Sequence, residues 1–202
     1  MKIVKISSKN LNEAVRVIKK GGVVIFPTDT VYGLIADIKN KTAVKKIFKI
    51  KKRSFKKPLP IFVKDLKMAK DLARIDKKQE KIIKKCWPGK VTVILKAKLT
   101  KFPKGIISKD KKIGLRNPDY KFLNILLKKI DCPLVETSAN ISGKKASTKI
   151  KEVLKQFEKQ RYQPNLVLDA GNLRTSLPST VVDLIDFKIL RKGEVLKDLI
   201  LR

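Results

Sequence analysis

The chain contains no histidine. That absence removes imidazole general bases, Ser-His and Cys-His nucleophile pairs and histidine metal ligands from its chemistry. Cysteine is nearly as scarce: Cys86 and Cys132 lie far apart without a CxxC pair, which supports neither a disulfide framework nor a metal knuckle and fits a reduced cytosolic setting. No stretch approaches the roughly 18–20 apolar residues of a membrane span, and the opening MKIVKISSKN lacks the apolar core of a signal peptide. A soluble, cytoplasmic protein without a membrane partner is expected. The GxxxxGK[ST] phosphate loop and the GxGxxG fingerprint are missing too, so a nucleotide would need another kind of cradle.

Acidic residues are few. The 18 Asp and Glu against 50 Lys and Arg leave a net charge of +32, which sets up a strong positive potential and favours anionic partners. The lysines are spread over nearly every expected helix and loop instead of forming one stripe, so a solvated lysine-rich surface accounts for the excess as readily as nucleic-acid binding does. At 202 residues and 43% hydrophobic content, the chain can bury a substantial core, and one domain over 1–202 is expected.

Hydrophobic patterning alternates between helical and strand periods. Asn10 and Glu13 resemble a capping box ahead of the stripe Leu11, Ala14, Val15, Ile18, and Gly21-Gly22 supply a stop, which predicts a helix over 10–20. The β-branched run VVIF at 23–26 predicts a strand cut off by Pro27. Further strands are expected at 59–63, 91–95, 112–116 and 133–137 and in LVLD, STVVDLI and FKIL. Helical stripes run through Val44, Ile47 and Phe48, through Leu66, Ala69 and Ala73, through Gln79, Ile82, Ile83 and Cys86, through Leu123, Leu126, Leu127 and Ile130, and through Ile150, Val153, Leu154 and Phe157. Such alternation predicts an α/β fold with a sheet covered by helices, mixed near the C-terminus where strands follow one another closely.

Polar residues gather where the expected strands run out, the usual place for ligands in open α/β sheets. Thr28, Asp29, Thr30 and Tyr32 crowd a loop ending at Gly33. That loop could hold an amino acid's polar ends, or Asp29 could position a hydrated metal, and an ordinary turn with a packed Tyr32 would look the same. Lys51, Arg53, Lys56 and Lys57 place cations beside the strand at 59–63, which suits phosphate but also suits a solvated turn. Ser138 and Asn140 follow a strand and precede Gly143; they could meet phosphate or carboxylate oxygens, or merely cap the strand. Arg116 ends KIGLR as either a carboxylate clamp or a surface ion pair.

Taken in order, GGVVIFPTDTVYGL, KKRSFKKPL, CWPGKVTVIL, IGLRNPD, PLVETSANISG, LVLDAG, PSTVVDL and ILRKGEV resemble the YrdC/Sua5 family of threonylcarbamoyl-AMP synthases over about residues 8–195. The resemblance implies a twisted open mixed sheet with helices on its faces and a basic concave surface that holds ATP and L-threonine. The reaction it implies joins L-threonine, bicarbonate and ATP into threonylcarbamoyl-AMP and pyrophosphate, with Mg²⁺ accompanying the ATP. Separate threonylcarbamoyl-transfer proteins would then carry the group to adenosine 37 of tRNA. Carried over by position, Lys51 and Arg53 would be catalytic and, with Lys57, would bind the phosphates. Asn140, Ser179 and Arg191 would complete the ATP site, while Thr30, Arg116 and Ser138 would line the threonine side, with no resident metal site expected.

Three positions depart from the family pattern: Ser54 and Lys90 replace prolines, and Phe62 stands where many relatives have histidine. A non-catalytic module binding double-stranded RNA or tRNA on the same basic face is the alternative from another class.

Overall fold

A computed structural model describes residues 1–98 and 102–195. The elements run in the order β1 (Lys2–Lys5), α1 (Ser8–Lys19), β2 (Val24–Phe26), β3 (Gly33–Asp37), α2 (Lys41–Lys51), β4 (Ile61–Phe62), α3 (Leu66–Leu72), β5 (Ala73–Arg74) and α4 (Lys77–Cys86). They continue with β6 (Val91–Ala97), β7 (Lys112–Arg116), α5 (Lys121–Ile130), β8 (Leu134–Ser138), α6 (Ile150–Lys155), β9 (Leu166–Asp169), β10 (Thr180–Asp183) and β11 (Lys188–Arg191). All strands join one twisted, open, mixed sheet in the order β1-β9-β2-β3-β8-β4-β7-β6-β10-β11, with β5 added beside β6. The pairs β1–β9, β2–β9, β4–β7 and β6–β10 are parallel, and the others are antiparallel.

The central strands are apolar because both of their faces are covered. Every residue of β2 is buried, as are Leu34, Ile35 and Ala36 of β3 and Leu134 and Val135 of β8. Helix α1 closes over them with Leu11, Ala14 and Ile18, and α5 with Leu123, Leu126, Leu127 and Ile130. The i, i+3, i+4 spacing of these side chains gives each helix one apolar stripe. Burying each large aliphatic side chain contributes about 1.5–3 kcal/mol, so Leu126→Ala would cost about 2–5 kcal/mol through lost contact and a cavity.

Three local expectations need correction, the shortest being that Ala73, expected in the helical stripe of Leu66 and Ala69, lies in β5 just past the end of α3 at Leu72. Helix α1 starts at Ser8, not Asn10: the Ser7 hydroxyl accepts from Asn10 N at 3.2 Å, while Asn10 Nδ2 reaches back to Lys5 O and Glu13 pairs with Lys2. The Asn10–Glu13 capping box is therefore absent. Strands β1, β3 and β5 were not expected either. Of these β3 matters most, because Gly33 lies opposite Ser138 and so joins the end of the 27–32 loop to the end of β8.

Candidate active site

Register across the sheet builds the site. Ala139 N donates to Tyr32 O at 2.7 Å, tying the SAN segment to the 27–32 loop. That loop is organised internally: Thr28 Oγ1 donates to Val31 O at 2.7 Å, accepts from Thr30 N, and lies 3.0 Å from Thr30 Oγ1. Tyr32 is packed and wholly buried; its phenol donates to Gly171 O and accepts from Ala170 N, and burial pushes its pKa up to about 12.

Arg116 reaches the same loop from β7. Its guanidinium donates to Asp29 Oδ1 at 2.5 Å, to Thr30 Oγ1 at 3.3 Å and to Gly89 O at 3.0 Å, and it lies 5.7 Å from the Phe62 ring. Phe62 thus supports the arginine by a cation–π contact. Gly89 is required where it stands, since a Cβ there would meet Cys86 O at 2.6 Å.

Lys51 and Arg53 diverge. Lys51 is the last residue of α2 and is only 2% exposed. Its ammonium donates to Ser138 O at 2.5 Å, Asn140 O at 2.8 Å and Asn140 Oδ1 at 3.0 Å, which uses all three of its donors. Burial first, then neighbouring Arg53, push its pKa down to about 7, with Glu136 opposing. Asn140 is equally committed: its Oδ1 also accepts from Ser138 Oγ, and its Nδ2 donates to Ile141 O and Lys144 O.

Arg53 uses Nε on Lys57 O and Nη2 on Pro58 O. Arg191 uses Nε and Nη2 on Ser179 O and Nη2 on Ser179 Oγ. Each keeps Nη1 without a partner among the described residues. Ser179 Oγ lies 2.9 Å from Thr92 Oγ1.

These groups enclose a cavity of about 110 Å³. Its wall includes Thr30, Arg53, Arg116, Ser138, Ser179 and Arg191, six of the residues singled out from the sequence. Lys51 and Asn140 lie outside that wall, beneath Ser138, and Lys56 and Lys57 are exposed outside it. A larger chamber of about 480 Å³ adjoins, sharing Arg53, Pro60 and Arg191 as walls and adding the apolar surfaces of Ile94, Val181 and Leu190. Glu136 on β8, absent from the sequence-based set, also lines the smaller cavity. Its signal is an acid directly after the apolar run Pro133-Leu134-Val135.

The family model described as "Telomere recombination", covering Sua5, YciO and YrdC, matches residues 16–193. The chain belongs to this family. A Methanocaldococcus jannaschii protein provisionally named threonylcarbamoyl-AMP synthase is 39% identical, over 96% of this chain and 94% of its own. The crystal structure of Pyrococcus abyssi Sua5 complexed with L-threonine superposes with a TM-score of 0.85 at 31% identity, covering 95% of this chain and 56% of that one. Escherichia coli YciO superposes at 0.86 with 27% identity, covering 99% and 97%. The chain therefore spans about half the length of the Sua5 relatives and nearly the whole of YciO.

Among the described residues, no helix is long and apolar enough to cross a membrane, and no group of three or more His, Cys, Asp or Glu is arranged to hold a metal.

Proposed function

We propose that this protein makes L-threonylcarbamoyladenylate from L-threonine, bicarbonate and ATP, releases pyrophosphate, and so supplies the N6-threonylcarbamoyl group for position 37 of tRNA. The observation that carries this reading is the meeting of Thr30, Arg53, Arg116, Ser138, Ser179 and Arg191, drawn from distant parts of the chain, around one cavity beside a larger chamber. The threonylcarbamoyl-AMP synthase names of the relatives and the L-threonine complex of Sua5 support it.

In this reading the free Nη1 groups of Arg53 and Arg191 and the Ser179 hydroxyl meet the phosphates, and the larger chamber takes the nucleoside. Guanidiniums suit this because they present fixed planar donors to phosphate oxygens. Arg116, Thr30 and Ser138 face the amino acid. Lys51 acts one step back: by holding Ser138 and Asn140 from below, it sets the SAN segment where substrate can use it. Asn140 likewise contributes through the shape of that segment, and Lys57 lies at the rim.

Mg²⁺ fits as an ion carried in on the triphosphate, since Glu136 is the one carboxylate of the smaller cavity's wall among the described residues. It would neutralise phosphate charge. The carbamate oxygen attacks the α-phosphorus and pyrophosphate leaves, a displacement that positioning and charge neutralisation can drive without a histidine base. The test is pyrophosphate release from ATP: it should require both threonine and bicarbonate, and release indifferent to threonine would overturn the reading. The net charge of +32 favours tRNA or duplex RNA as a further partner, whose affinity should fall steeply with salt.

A further inference from the structure

Glu136 lies at the middle of the sheet, opposite Ile35 of β3, with its backbone N donating to Pro60 O beside β4. The residue is 9% exposed, and its carboxylate has neither a hydrogen bond nor an ion pair among the described residues. The side chain lines the cavity instead of meeting a protein partner, so a ligand held there can supply the contact that the protein does not. The cations around it bond to other groups: Arg116 to Asp29, Arg191 to Ser179, Arg53 to Lys57 O and Pro58 O, and Lys51 to Ser138 and Asn140, and the Nη1 that Arg53 and Arg191 keep open makes no bond to it either. Burial raises its pKa; Arg116, Arg191 and Lys51 oppose that, and Asp29 adds to it.

The cavity wall therefore carries three guanidiniums, two of them with an open Nη1, and a carboxylate that no protein group among the described residues pairs, a pattern complementary to a zwitterion. An α-carboxylate suits the arginine side, and an ammonium suits Glu136. Resting on the synthase reading above, we infer that Glu136 binds the ammonium of the amino-acid substrate and takes one of its protons, freeing the amine to form the carbamate.

The step balances. The ammonium gives one proton to the carboxylate; the nitrogen lone pair attacks the bicarbonate carbon and a C–N bond forms. The C–OH bond breaks, and the hydroxyl leaves as water with the second amine proton. The carboxyl then returns its proton to solvent, and nothing is oxidised or reduced.

The experiment compares wild type, Glu136→Gln and Glu136→Asp by calorimetric titration with L-threonine, with 3-hydroxybutanoate, which lacks the amine, and with ATP. Glu136→Gln should weaken threonine binding about 10- to 100-fold, the loss of one charge-assisted contact. It should leave ATP and 3-hydroxybutanoate within about threefold, a difference well under one such contact. Glu136→Asp should retain part of the threonine affinity, which keeps the inference testable if the Gln variant folds poorly. Should wild type and Glu136→Gln bind threonine equally, the inference falls while the synthase reading stands. Tighter ATP binding with unchanged threonine binding would make Glu136 a mere counter-charge and overturn it. A wild type that neither binds threonine nor releases pyrophosphate defeats the synthase reading first.

Discussion

Lys51, at the end of α2, is 2% exposed with every donor engaged, whereas Arg53, two residues on, keeps one guanidinium nitrogen open to the cavity wall. Both carry positive charge in the same lysine-rich segment, so charge alone does not separate them. Saturation does. A cation whose donors are all met by protein acts on the scaffold, and one with donors to spare acts on a ligand.

The comparison is broken hardest by Lys51→Met. Removing the ammonium leaves Asn140 O without a donor, while Ser138 O keeps Asn140 N and Asn140 Oδ1 keeps Ser138 Oγ, and one unmet buried acceptor should cost about 1–3 kcal/mol. Chemical denaturation should show that loss, with turnover falling because Ser138 shifts. Arg53→Ala should do the reverse: a smaller stability loss, from the Lys57 and Pro58 carbonyls it holds, but ATP affinity down about 30- to 100-fold for a lost charge-assisted donor. Isothermal titration checks this, with exposed Lys159→Ala as the unaffected control. Equal losses from both changes would erase the distinction.

A subtler test uses pH. Lys51 falls from its ordinary 10.5 to about 7 in the folded state, so between these values the unfolded chain binds a proton that the folded chain does not. Stability should therefore rise with pH from about 7 to 8.5, by at most about 1.4 kcal/mol per unit, and Lys51→Met should flatten the rise. Urea midpoints across that range measure it. The smallest effect belongs to Lys57→Ala: its side chain is exposed outside the cavity wall, so stability should change by less than about 0.5 kcal/mol.

Much of this architecture was legible in the sequence because amphipathic stripes and β-branched runs report burial directly. The helices built on Leu11, Leu123 and Ile83 lie where their spacing put them. Strand β3 escaped notice because Gly33-Leu34-Ile35-Ala36-Asp37 carries little β-branched signal and gains its strand character from pairing with β2 and β8. The start of α1 was misread because Ser7 and Asn10 are both good caps, and only tertiary contact chose between them. At the site, residue types and order drew attention to the cavity-lining groups, but not to which cation is sealed inside. That depends on where α2 ends and on the reach of Lys51 to residues 87 and 89 positions further along the chain. Glu136 is illegible in the sequence for a related reason: an acid in a strand is informative only once its missing partners are known.

The most direct measurement is a crystal structure with a non-hydrolysable ATP analogue and L-threonine bound together. The account predicts phosphate oxygens on Arg53 and Arg191, with threonine between Arg116, Ser138 and Glu136. A triphosphate lying on the exposed lysines, away from Arg53 and Arg191, would contradict it.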